Sequence, residues 1–484
     1  MSNSQISRRE MLKGAIAAGG TAALGSSIGV LARDAHLDDL AGRLQGPLIT
    51  PEHDQYEQAR QVWNAMIDRR PAAIARCSGV ADVVDVVRFA RDTGMDISVR
   101  GGGHNVAGKA VRDDAIMIDL GLMNGVWVDP GNKRARVQGG ARWGAFDNET
   151  LVHNLATTGG TVGTTGVGGL TLGGGVGWLA RKHGLSCDNV VSADMVLADG
   201  SAVTASADQN PDLYWAIRGG GGNFGIVTSF EFEVHELEPM VGGLAVYPGH
   251  TLKDLVHFYR DYTADAPDGL MAMVGAFYGP PGTSVEGEVA AFSAVSFCGP
   301  TDEGVRLLQP FKDFGPPALD IIGPTDYGTQ QTLFAAGGAM GTRNYWRSSF
   351  LRELSDDAID VMVRRSAEMP KPGSMFLIEH LGGAIGRVGQ NETAFANRGA
   401  NYNMSIFGTW LDPSEDEKNN AWVRATGDEV RSFSTGGAYV NYMAADEPAE
   451  NVRAAYEANF ARLREVKRQY DPTNFFNSNQ NIAP

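Results

Sequence analysis

One short stretch, Arg100-Gly101-Gly102-Gly103-His104-Asn105, restricts what this chain can build more than any other. A β-type triplet, Ile97-Ser98-Val99, runs straight into it. Three consecutive glycines let the backbone take positive φ and approach a ligand with no Cβ in the way. Successive N–H groups in such a turn form a concavity suited to a phosphate or pyrophosphate. Arg100 reads as a permanent cation beside it, and His104 and Asn105 stand at its mouth. The next apolar segment, Ala115–Leu120, reads as a strand. The nicotinamide-dinucleotide fingerprint needs a helix there, so a different phosphate-binding architecture is required. Gly220-x-Gly222-x-x-Gly225 also precedes a strand and is set aside as a nicotinamide site on the same ground.

The remaining pattern is mixed. Helical spacing runs over Ala81–Arg91, Trp143–Leu155 and Asp212–Arg218. Strand-like segments are Gly125–Val128, Arg134–Val137, Val190–Leu197 and Ile226–Val234, and Thr157–Gly177 is a long glycine-dense loop. Near Glu238-Pro239 the character changes. Helices are expected at Thr251–Asp265, Asp302–Phe314 and Ser355–Met369, and strands at Gly269–Tyr278, Gly287–Phe297, Met375–His380 and Asn403–Trp410. That is a second α+β unit with an antiparallel sheet and helices on one face. Pro448–Tyr470 reads as one final helix, stopped by Asp471-Pro472-Thr473-Asn474.

The 484 residues suffice for two or three domains. A net charge of −16 argues against nucleic acid or an anionic membrane surface as partner. Three cysteines, Cys77, Cys187 and Cys298, make no disulfide framework, although one pair stays open. Ser7-Arg8-Arg9-Glu10-Met11-Leu12-Lys13, followed by the small-residue run Gly14–Leu31, resembles a twin-arginine export signal over residues 1–32. The run is short for a membrane anchor. The mature chain is therefore expected to be exported, with no membrane span.

Taken together, Arg100–Asn105, Thr164–Trp178, Gly184–Asn189, Asp212–Thr228, Ala438–Tyr442 and Tyr470–Ile482 resemble the berberine-bridge-enzyme-like branch of the FAD-linked oxidases that share the vanillyl-alcohol-oxidase fold. The resemblance runs from about Arg70 to the end. It implies an α+β protein: a two-part PCMH-type FAD-binding domain (33–238), a substrate domain with an antiparallel sheet (239–437), and a C-terminal segment (438–484) returning to the FAD domain. The cofactor it implies is FAD, bonded through His104 at the 8α-methyl carbon and through Cys187 at C6. Neutral imidazole and thiolate are nucleophilic enough for such bonds. On the residues alone, a histidine after glycines is as readily a loop hydrogen-bonder, and a lone cysteine a small buried hydrophobe. Further implied FAD contacts are Arg100, Gly101, Gly102, Gly103, Asn105, Thr164, Gly166, Gly168, Gly169, Gly173, Gly174, Gly177, Ile226, Val227 and Asn441. No metal site is expected.

Ala438-Tyr439-Val440-Asn441-Tyr442 matches the family's Tyr-x-Asn-Tyr segment. Read as a strand, it turns Tyr439 and Asn441 one way and Tyr442 the other. The resemblance makes Tyr442 the base, with Tyr439 beside it. A free phenol titrates near pH 10, so Tyr442 needs a nearby cation or an acceptor, and Arg398 is a candidate cation. Glu379, His380, Tyr402 and Trp410 are further pocket candidates, although strand alternation sends half of any strand to the core. Met443-Ala444-Ala445-Asp446 departs from the family pattern, where an acidic residue comes sooner.

The implied activity is oxidation of a secondary alcohol on a sugar or sugar-bearing metabolite, with electrons passed to O2. The competing readings are an amine or alkaloid oxidase of the nicotine type, a dehydrogenase that excludes O2, and an inactive FAD-containing binding protein.

Overall fold

The computed structural model describes residues 37–371 and 373–484; the export-type segment lies outside them. Three principal sheets carry the α+β fold. The first has the spatial order Leu48–Ile49, Ala73–Arg76, Ile116–Asp119, Ile97–Arg100, and its last three strands run parallel. Helix Val80–Thr93 links two of them and stops at Gly94, whose φ of +70° suits a residue without Cβ. Ile97–Arg100 is an edge strand, so its end opens directly into the glycine loop.

The second sheet is antiparallel, in the order Val126–Asp129, Arg134–Gln138, Ile226–Glu233, Val190–Val196, Ala202–Ser206. Helix Pro211–Ile217 and the C-terminal helix Phe460–Tyr470 share its core through Leu213, Trp215, Leu463 and Val466. The tail is held by a fully buried ion pair. Lys467 Nζ lies 2.7 Å from Asp471 Oδ2 and also donates to the carbonyls of Asn223 and Phe476. Asp471 in turn accepts from the Phe475 and Phe476 N–H groups. With every hydrogen-bonding group satisfied, the pair ties the end of the chain to the loop before Ile226.

The third sheet is antiparallel and large, in the order Leu319–Asp320, Met240–Pro248, Val289–Cys298, Leu270–Tyr278, Met375–His380, Tyr402–Trp410, Arg343–Leu351. Period-2 alternation divides its residues. Leu270, Ala272, Val274, Ala276, Phe376, Ile378, Met404 and Ile406 pack under helices Leu252–Thr263, Thr301–Asp313, Asp356–Ala367 and Asp416–Arg431. Met271, Met273, Leu377 and Phe407 form the opposite face, toward the glycine loops.

Several elements differ from the sequence expectation, among them a short helix, Val167–Leu172, inside the glycine-dense loop. Met240–Pro248 is a strand although Gly242-Gly243 interrupts it, and Arg343–Leu351 is one although half its residues are polar. The final helix is broken into Ala449–Tyr456 and Phe460–Tyr470. At the break Glu457 takes φ +43°, and Asn459 Nδ2 is drawn to the carbonyls of Gln390, Thr393 and Ala394. All three cysteines are free. No helix among the described residues is long and apolar enough to cross a membrane.

Candidate active site

Between the glycine loops and the inner face of the large sheet lies a cavity of about 690 Å³. One wall is nearly all backbone. Gly101, Gly102, Gly103, His104, Asn105, Gly166, Gly168, Gly169, Gly173, Ile226 and Val227 line it, and Ser478, Asn479 and Gln480 close it from the tail. The two loops touch through their glycines: a Cβ on Gly102 would fall 2.4 Å from Gly166 N, and one on Gly166 2.4 Å from Gly102 N. Among the described residues, no protein group accepts from the N–H groups of Gly101, Gly102, Gly103, His104 or Asn105. Five unpaired donors on a side-chain-free wall are what a dinucleotide diphosphate requires, so the residues present fit FAD.

Arg100 does not serve that wall. Its guanidinium is tied to both Asp119 carboxylate oxygens and to the carbonyls of Ala59 and Gln61. Its charge is cancelled, and its role is to brace the strand that delivers the loop. Gly174 and Gly177 also stand outside the cavity. The Gly174 carbonyl accepts from Cys187 N–H at 2.9 Å, and a Cβ on Gly177 would fall 1.8 Å from the Gly159 carbonyl oxygen. These two glycines serve chain packing.

His104 lines the cavity, its ring stacked on Trp63 at 4.4 Å between centroids and 17° between planes. Its Nε2 is 3.1 Å from Thr164 Oγ1. Thr164 therefore acts on the imidazole and not on the ligand. Burial first, and the Arg142 charge second, depress the imidazole pKa to about 4, so the ring is neutral and nucleophilic at physiological pH. Nδ1 has no partner among the described residues.

Cys187 stands apart from the cavity lining. It is fully buried, and its thiol lies against Asp188, 3.6 Å from Oδ1. Burial and the Asp188 charge push the thiol pKa well up, the reverse of what a nucleophilic thiolate needs. The wall next to Thr164 offers Val162, a hydrocarbon side chain.

The Tyr439–Tyr442 segment is also reorganised. Val440–Tyr442 is a single 3₁₀ turn, not a strand. Side chains three apart eclipse in such a turn, so Tyr439 and Tyr442 meet edge to face at 4.8 Å and both line the cavity with Asn441. The Tyr439 hydroxyl accepts from Gly175 N–H and Asn441 Nδ2, both at 2.9 Å. Asn441 Nδ2 also donates to the Leu170 carbonyl. That fixes Tyr439 as a brace between the glycine loop and the 3₁₀ turn.

Tyr442 stands beside Glu379, whose carboxyl acts on its phenol. Glu379 stands opposite Asn403 in the ladder and accepts from its Nδ2 at 2.6 Å. Burial raises the Glu379 carboxyl to about 7 and lifts Tyr442 well above the usual phenol range. The titratable group facing the Tyr442 phenol is thus Glu379. Arg398, the cation expected from sequence, instead forms a buried bidentate pair with Asp188. His380 faces Arg181, Tyr402 sits in the helix-side core, and Trp410 Nε1 donates to Asp416. None of these three lines the cavity. Asp446 accepts from Tyr345 and Arg424.

The wall facing the glycine loops is largely aromatic and aliphatic, with Thr342, Asn344, Ser374 and Thr409 as polar side chains among the rings. Trp63, Phe277, Phe292, Leu333, Phe334, Trp346, Leu377 and Phe407 line it. Trp346 bridges Trp63 and Tyr442 in edge contacts at 5.2 and 5.6 Å. Trp63 and Trp346 escape sequence reasoning because isolated tryptophans read as core; the inward phase of alternation in Arg343–Leu351 is the signal that could have found Trp346.

Residues 71–206 match the family model "FAD binding domain", and residues 438–483 the model "Berberine and berberine like". The (R)-6-hydroxynicotine oxidase of Paenarthrobacter nicotinovorans is 30% identical, over 91% of this chain and 97% of the relative. The crystal structure of 6-hydroxy-D-nicotine oxidase from Arthrobacter nicotinovorans superposes with a TM-score of 0.83 at 29% identity, covering 91% of this chain and 98% of that one. Glucooligosaccharide oxidase from Acremonium strictum, described with a 6-S-cysteinyl, 8α-N1-histidyl FAD, superposes at 0.82 with 26% identity, covering 91% and 97%. A glycine-lined dinucleotide wall, a neutral histidine at its mouth, the paired tyrosines and these likenesses converge: the chain belongs to the berberine-bridge-enzyme-like family of FAD-linked oxidoreductases.

Proposed function

We propose that this protein is an oxidase carrying FAD on His104 alone, acting on a CH–NH or CH–OH carbon of a flat aromatic or heteroaromatic molecule, with O2 as electron acceptor. The observation that carries this reading is the cluster of rings on the cavity wall facing the glycine loops: Trp63, Phe277, Phe292, Phe334, Trp346 and Phe407 stand around Tyr442, with Glu379 buried behind it. A sugar presents hydroxyls all round and needs several free buried donors and acceptors, whereas much of the polarity on this wall is spent internally, Asn344 bonding both Thr342 and Thr409. The sugar-type reading also leaned on Cys187, whose sulfur stands outside the cavity.

Bound FAD would supply the hydride acceptor. The chain's own residues hold and activate the substrate. The aromatic wall orients a planar molecule and excludes water. Tyr442 receives the substrate's N–H or O–H proton while passing its own to the Glu379 carboxylate, so the phenol need not ionise beforehand. A positioned base of this kind contributes ~10²–10⁴ in rate. His104, with Nε2 engaged by Thr164, presents Nδ1 as the bond-forming nitrogen. The Ser7–Lys13 segment supports export, with 33–238, 239–437 and 438–484 as the working divisions of the mature chain; Arg8→Lys with Arg9→Lys should retain the protein in the cytoplasm on fractionation.

The test is peroxide release and anaerobic flavin bleaching with a panel of heteroaromatic amines, aryl alcohols and oligosaccharides. The reading requires bleaching and peroxide with the first two groups. Turnover confined to oligosaccharides refutes the substrate class, bleaching without peroxide refutes O2 as acceptor, and no bleaching leaves a binding protein.

A further inference from the structure

Of all the residues lining the cavity, Lys109 alone carries a fixed charge. It is held on two sides. Its N–H donates to Asn105 Oδ1 at 3.2 Å, in the turn that follows the glycine loop. Its carbonyl accepts from Ser478 Oγ at 2.8 Å, on the C-terminal tail. It therefore stands between the two segments that frame the unpaired N–H groups of Gly101–Asn105.

Lys109 has no carboxylate partner among the described residues. Neighbouring cations are all accounted for otherwise. Arg100 and Arg76 share Asp119, and Arg112 pairs with Asp96. Arg69, the one charge that influences the Lys109 ammonium, repels it, and its own guanidinium is spent on the carbonyls of Gly108 and Val111. A half-buried ammonium with no counter-charge, next to five unpaired N–H donors, is an arrangement completed by an anion.

We propose that Lys109 is the counter-cation of the FAD diphosphate, the role the sequence assigns to Arg100. The proposal rests on the flavin reading, and its test separates the two. The full-length His104→Ala chain holds flavin reversibly and is loaded with FAD or, in parallel, with riboflavin, which has the same ring and no phosphate. Release on dilution is followed by the rise in flavin fluorescence. Lys109→Met in this background should speed FAD release about tenfold to a hundredfold, the range of a charge-assisted hydrogen bond, and leave riboflavin release unchanged. Lys109→Arg should restore most of the FAD retention, and about 0.5 M salt should narrow the gap between the Lys and Met chains. Equal acceleration for both flavins, or none for FAD, overturns the proposal. A His104→Ala chain that takes up neither flavin overturns the cofactor reading and this proposal with it.

Discussion

Replacing Glu379 by Gln tests the proton path most directly, because it moves activity and stability in opposite directions. Glu379 is 2% exposed, and burial raises its carboxyl to about 7. In an unfolded chain the same group titrates near 4.3. The folded state therefore holds the proton more tightly than the unfolded state. Folding stability falls as pH rises from about 4.5 to about 7 and levels off above. The difference amounts to about 4 kcal/mol. Gln cannot ionise, can still accept from Asn403, and can meet the Tyr442 hydroxyl. At pH 8 Glu379→Gln should be more stable than the parent by up to about 4 kcal/mol, and at pH 4.5 the two should converge. Asp147, also buried and raised to about 7, titrates in both chains and cancels in the comparison.

Activity should respond the other way. Only the carboxylate accepts the Tyr442 proton, so anaerobic stopped-flow reduction of the flavin should accelerate with pH through about 7 in the parent. The Gln variant should lose that limb and fall ~10²–10⁴ in reduction rate. A variant that keeps both rate and pH limb, or that is destabilised at pH 8, removes Glu379 from the path and refutes the argument from burial.

The remaining outcomes concern attachment and scaffold. His104→Ala should leave the flavin in the supernatant after acid precipitation, while Cys187→Ala should keep the same covalent flavin mass and absorbance spectrum as the parent. Gly166→Ala, which sets a Cβ 2.4 Å from Gly102 N, should cost at least about 1–3 kcal/mol in thermal or denaturant unfolding and lower flavin content. Lys467→Met, leaving Asp471 buried without its cation, should cost about 3–5 kcal/mol; an unchanged melting temperature would show that the tail is held by its apolar contacts alone.

Local patterns account for much of what is legible in the sequence. Ile97-Ser98-Val99 entering three glycines predicts a strand opening into an anion-binding turn, because φ freedom and missing Cβ atoms are properties of the residues themselves. Clean alternation in Met375–His380 gives a strand found at the same bounds. Met240–Pro248 and Arg343–Leu351 are hidden because glycines or polar residues blur the period, and neighbouring strands supply the pairing that makes them sheet. The 3₁₀ turn at Val440–Tyr442 is hidden for a related reason. Its three residues suit a strand by propensity, yet Tyr439 N–H is claimed by Ser348 Oγ and its hydroxyl by Gly175 and Asn441.

The glycine run and its spacing, then, point by themselves to a cradle for a phosphate-bearing cofactor with a histidine at its mouth, and the family resemblance adds the two tyrosines. Which charges face that cofactor was decided only in three dimensions. Arg100 and Lys109 differ little as letters, but one folds onto Asp119 and the other lines the cavity with no carboxylate partner among the described residues. Burial acts on Cys187 and Glu379 in the same way, keeping a thiol protonated beside Asp188 and holding a carboxyl near neutrality beside Tyr442. Pairing and desolvation are set by contacts between segments far apart in the chain, and no local pattern of residues carries them.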